Sequence, residues 1–159
     1  MVKETSLPDT VGIQDALSHL DFHDSFATTN KVNSLNNIVL CIFGEAPKWV
    51  GRLFRLRNFI VQFIGLKTDF RPQEPEFIVG GHIGFFEIFS ISPTEVIIGA
   101  DDSHLNFRAS IFDSGSDDFN IQVSTLVQYN NRLGRLYMFV IKPFHRMVVK
   151  AMIKQAYVT

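Results

Sequence analysis

Asp101, Asp102, His104, Asn106 and Arg108 gather acid, imidazole, amide and guanidinium groups at one turn and along one face of the strand after it. An Asp beside a His orients an imidazole and raises its basicity, as general acid–base chemistry requires, and an Arg binds anionic groups with paired donors. The same residues also make ordinary turn chemistry, in which Asp102 accepts bonds from local amides and Arg108 closes an ion pair to a neighbouring strand; that is the commoner role of such a pattern. A second constellation is Pro143-Phe144-His145-Arg146. His145 lies on the flank of an apolar stripe, where it either points into a cavity as a proton donor or, more often, rests half-buried on a carbonyl. The side chains expected around a ligand are Asp102, His104, Arg108, Tyr137, Phe144 and His145, with no catalytic assignment among them.

Other chemistry finds little footing. The five histidines are scattered without metal-ligand spacing, and the one cysteine has no CxxC partner, so neither a metal nor a cofactor is expected. Gly80-Gly81-His82-Ile83-Gly84 precedes a strand rather than opening a helix, so it is not a phosphate loop, and no GxSxG elbow is present.

These side chains need elements to hold them. Advancing about 100° per residue, Leu133, Tyr137, Val140, Ile141, Phe144, Val148, Ala151 and Met152 share one stripe, opposite Arg135, Lys142, Arg146 and Lys150. This predicts a long amphipathic helix from about Arg132 to Ala156, bent near Pro143, with its Val140, Phe144 and Val148 face on a sheet. Ahead of it, His82–Ile91, Thr94–Ala100, His104–Phe112 and Asp118–Tyr129 alternate as strands between turn signals and imply an antiparallel meander. Asp21–Thr28 reads as a first strand, with Phe22 and Phe26 in one phase. Two helices follow it. Ser34 caps Leu35–Phe43, which Gly44 closes, and Pro47 opens a second helix on which Trp49, Leu53, Leu56, Ile60 and Phe63 share a side until Gly65. Residues 1–12 read as a flexible arm, Ile13–Leu20 as a helical turn, and Lys67–Gly81 as a loop. The expectation is an α+β domain spanning residues 1–159. In it a curved antiparallel sheet of five strands wraps a long, Pro-kinked C-terminal helix, with two helices inserted after the first strand.

Sixteen phenylalanines against one tryptophan imply a fat core or a greasy pocket. A net charge of −1 excludes a dedicated nucleic-acid binder. Acids concentrate in residues 1–30 and bases in residues 131–159. Cys41 sits in an apolar run and is expected to be a small buried thiol. The N-terminus has no signal-peptide core and no stretch suits a membrane span, so a cytoplasmic protein is expected. The helix after Pro47 joins Lys48, Arg52, Arg55 and Arg57 with Trp49, Phe54 and Phe59, so contact with a membrane surface competes with a simple solvated basic face.

The runs GADDSHLNFRASI and NNRLGRLYMFVIKPFHRMVVKAM closely resemble a family of small, mostly bacterial proteins defined only as a domain of unknown function, in which DDxHLxFR and LGRLYxxxIxPFHRxxVxxM recur. The resemblance runs from about Asp21 onward. That family looks like a member of the START-like, or SRPBCC, helix-grip group, which implies a sheet wrapped around the C-terminal helix and an apolar ligand cavity between them. Three functions follow: a module binding a small apolar or amphipathic ligand in that cavity, a polyketide cyclase-like enzyme using cavity His, Asp and Arg side chains, or an interaction protein without a cavity, its basic helices meeting a partner or an anionic membrane.

Overall fold

Alternating runs rich in valine and isoleucine build one curved antiparallel sheet in the computed structural model, which describes residues 1–62 and 74–158. Its strands are β1 (Lys3–Glu4), β2 (Phe22–Thr28), β3 (His82–Ile83), β4 (Phe86–Ile91), β5 (Glu95–Asp101), β6 (Leu105–Asp113) and β7 (Ile121–Tyr129), in the spatial order β1-β2-β7-β6-β5-β4-β3. Four helices complete the described chain: α1 (Val11–Ala16), α2 (Leu35–Phe43), α3 (Lys48–Gln62) and α4 (Arg132–Gln155). The period of two sends Phe26, Val96, Ile98, Ala109, Ile111, Ile121 and Val123 to one face, where they meet Ile38, Val39 and Ile42 of α2 and Met152 and Ile153 of α4. Each such large side chain contributes roughly 1.5–3 kcal/mol by leaving water. The opposite face mixes buried Ser110, Ser124 and Glu95 with buried Ile97 and Leu126 and is closed in part by α1. Thr10 and Ser110 both donate to the buried Glu95 carboxylate there.

Asparagines fix both ends of α4. Asn131 caps its start by accepting from the Gly134 amide, and buried Asn30 donates to the Ala156 carbonyl at its end. Asn30 is held in turn by a reciprocal amide pair with Asn120.

Several expectations need correction. The run His82–Ile91 is two strands, because Gly84 takes a left-handed φ of 59° and reverses the chain at Phe85. With the edge pair Lys3–Glu4, which joins β2 opposite Ala27 and Phe26, the described sheet has seven strands rather than five. The last strand starts at Ile121, since Phe119 sits at φ 53° and gives its amide to the Thr29 hydroxyl instead of to a strand. Cys41 is exposed, because Ile38, Val39 and Ile42 form the buried side of α2 and residue 41 falls on the other.

The largest correction concerns the rotation of α4. Its buried row is Gly134, Met138, Met152 and Ile153, with His145 and Val149 between them, whereas Val140 is 52% and Phe144 50% exposed. The contact stripe is offset from the expected one by nearly one residue step, about 100°. Apolar residues occupy well over half of this helix's circumference, so periodicity alone leaves its setting open. Gly134 decides it, for any side chain there would overlap the His104 carbonyl. On α3, Trp49 and Leu56 are likewise exposed and Val50 is fully buried. The Ile60 and Phe63 side chains, the stop at Gly65 and the first part of the expected loop lie outside the described residues.

Candidate functional site

The β5–β6 hairpin and the start of α4 form one polar junction. Asp102 closes the turn by accepting from the Ser103 amide at 2.6 Å, and its own amide donates to Leu105. Asn130 donates its side-chain amide to the Asp102 carbonyl and to Asn106, while Asn131 donates to the Ser103 carbonyl. The hairpin is thereby strapped to the helix. Beneath it the His104 ring is buried and meets Tyr137 edge-on at 4.9 Å, and the Tyr137 hydroxyl accepts from Arg57 of α3 at 2.9 Å. The nearest carboxylate oxygen of Asp102 lies 3.6 Å from Nδ1 of His104, beyond hydrogen-bond reach. Burial holds the imidazole below its ordinary pKa; Asp102 opposes that shift and Arg57 adds to it. A buried, neutral, unaligned histidine is poorly placed to move a proton.

Arg108 goes elsewhere. It lies on the opposite face of the sheet, pairing with Asp101 at 2.7 Å and stacking 3.6 Å from the Phe89 ring centre. Gly99 leaves the room for it, since a Cβ there would press on the Arg108 side chain and the Phe107 carbonyl. The bulge in β4 falls at Phe89, between the paired residues Ile88 and Ser90.

Between sheet and α4 the structure holds a pair of which the sequence reading named one member. Nε2 of His145 stands 3.4 Å from Asp24 of β2, but without hydrogen-bond alignment, and both Asp24 oxygens lack a bonded partner among the described residues. Asp24 is buried, opposite Thr125 of β7, and Phe22 meets the His145 ring edge-on. A void of about 30 Å³ adjoins His145, lined also by Thr125, Phe107, Phe43, Val149 and Met152. The sequence carried the signal for Asp24: it shares the strand phase of Phe22 and Phe26, an acid in an apolar row.

The outer side of α4 is also apolar. Leu136, Phe139, Val140, Phe144 and Met147 are all exposed, Phe139 at 81%. They lie across the helix axis from the buried row, and on one flank stand Arg135, Lys142 and Lys150, the two lysines reaching over the Phe22 and Phe26 rings of β2 at 5.4 and 5.1 Å. One side of α3 similarly interleaves exposed Trp49 and Leu56 with Lys48, Arg52 and Arg55. Neither Lys48–Gln62 nor Arg132–Gln155 contains an acid. Among the described residues no helix is long and apolar enough to cross a membrane, and no three His, Cys, Asp or Glu side chains converge on a metal-sized site.

A sequence model for the family described as protein of unknown function (DUF2867) matches residues 16–152. The chain belongs to that family. No curated protein and no solved structure matches it. The DUF2867 match includes β2, all four residues of the Asp24–His145 and His104–Tyr137 pairs, and most of α4. Of the six side chains expected around a ligand, the DUF2867 fold brings Asp102, His104 and Tyr137 together. It sets His145 apart in the interior, Arg108 behind the sheet and Phe144 on the outer surface.

Proposed function

We propose that this DUF2867 chain is an interfacial docking module whose α3 and α4 surfaces seat on an anionic lipid surface. The observation that carries this is the exposed apolar row of α4, diametrically opposite the row that grips the sheet. An exposed row of this size marks an interaction surface, and leaving it in water is unfavourable. Its flanks choose the partner. A protein interface core is depleted of lysine, whereas Lys and Arg interleaved with Trp, Phe and Leu, without acids, are the composition of helices that lie in a lipid headgroup layer. Each basic side chain near an anionic leaflet contributes about 1 kcal/mol, so the bases on two helices suffice for reversible attachment.

A second reading keeps a small apolar or amphipathic ligand between the sheet and α4, with or without cyclase-like chemistry. The unpartnered polar atoms of Asp24 and His145 beside a void favour it. The void, at about 30 Å³, is far below the roughly 300–1,000 Å³ of small-molecule pockets, so this ligand would require α4 to lift from the sheet. Flotation with vesicles tests the first reading. Vesicles of phosphatidylglycerol and phosphatidylcholine should carry the protein upward at low salt, and raising the salt should release it. Equal flotation with pure phosphatidylcholine would remove the electrostatic part of the proposal.

A further inference from the structure

Where β7 hands over to α4, an open cleft of about 890 Å³ lies between the His19–Asp21 segment and the first turns of the helix. Its volume is in the range of small-molecule sites, unlike that of the interior void. The lining divides by chemistry. Leu136 and Phe139 supply an apolar wall, and Arg132 and Arg135 stand one helical turn before them. Among the described residues neither arginine has a carboxylate partner. The one acid at the cleft is already engaged: Asp21 accepts from the Tyr129 amide at 2.7 Å and meets His19 at 2.9 Å. Burial, and secondarily Asp21, raise the Tyr129 hydroxyl above its ordinary range against the opposing pull of Arg135, and like any phenol it is uncharged at neutral pH.

An unneutralised arginine pair beside an apolar wall is complementary to one molecular class. We infer that this cleft binds a single anionic amphiphile, its phosphate or carboxylate head on Arg132 and Arg135 and its alkyl chain along Leu136 and Phe139. Guanidinium groups bind phosphate and carboxylate through paired, charge-assisted hydrogen bonds. The chain supplies the affinity that an exposed ion pair alone lacks. The inference deepens the docking proposal and rests on it for its source of ligand, because Leu136 and Phe139 belong both to the cleft and to the exposed row of α4. A lipid reached at the bilayer would enter the cleft from the surface on which the module sits.

Isothermal titration with dodecyl phosphate, below its micelle concentration and without vesicles, tests the cleft independently of docking. The expected result is saturable one-to-one binding, weakened at least tenfold in Arg132→Ala/Arg135→Ala and in Leu136→Asp, with inorganic phosphate binding at least tenfold more weakly. Dodecanoate should bind comparably, because the head is read as an anion. Absence of saturable binding would overturn the inference, as would binding that both variants retain or phosphate alone reproduces. Flotation on the same preparations separates the two proposals. Titration without flotation would leave the cleft standing and remove the docking surface, and flotation without titration would do the reverse.

Discussion

Gly134 passes the carbonyl oxygen of His104 so closely that no β-carbon fits between them. That one contact sets the rotation of α4, and with it which apolar row meets the sheet and which faces outward. Gly134→Ala gains up to about 1 kcal/mol of helix propensity. It should nevertheless be destabilised on balance, because overpacking against a backbone atom costs about 1–3 kcal/mol and the strapped hairpin cannot withdraw. Denaturant melts check this. A stabilised Gly134→Ala protein would mean that the helix is free to turn.

The Asp24–His145 pair gives a prediction in which the double change is milder than the single one. His145→Leu leaves a carboxylate buried without a counterpart and should lose about 3–5 kcal/mol. Asp24→Leu/His145→Leu removes both polar groups, and the void of about 30 Å³ beside His145 gives the repacked side chains some room, so it should recover most of that loss. Urea unfolding of both proteins measures the difference. A double variant as unstable as the single one would show that the pair contributes net stability.

How much of this was legible beforehand depends on what each signal constrains. Alternation and turn residues placed β5, β6 and the two inserted helices within a few positions, because period and caps act locally. Ser34 and Gly44 bound α2 where expected. Local signals could not orient α4, whose apolar residues surround most of its axis; the glycine that orients it acts on a carbonyl thirty residues earlier. The same limit hid the ligand-side geometry. Asp102 and Arg108 are neighbours in sequence, yet one serves the hairpin and the other crosses to Phe89 behind the sheet. Asp24 was readable from its phase, but His145 as its partner was not, since no local rule joins β2 to the middle of α4.

His104 makes stability depend on pH. Burial lowers its pKa below 6.5 in the folded protein, so on acidification the unfolded chain takes up a proton that the folded chain resists. Its contribution is therefore complete above about pH 6.5 and declines as the pH falls towards the folded value. Denaturant midpoints measured from about pH 7.5 down to about pH 5.5 should fall, and His104→Gln should flatten part of that slope. An unchanged slope in the variant would assign the pH dependence to other groups.

Phe144 and Met147 belong to the exposed row of α4 and do not line the cleft, so they isolate docking from amphiphile binding. Phe144→Ser/Met147→Ser should leave the unfolding free energy in urea nearly unchanged, within about 0.5 kcal/mol per site, because exposed side chains contribute little to folding. Co-sedimentation of this folded variant with phosphatidylglycerol-containing vesicles measures docking through the outer row of α4 most directly. The variant should bind at least tenfold more weakly than the parent at equal salt. Parent-like sedimentation of the stable variant would contradict the account, since the outward apolar row of α4 would then play no part in holding the protein to lipid.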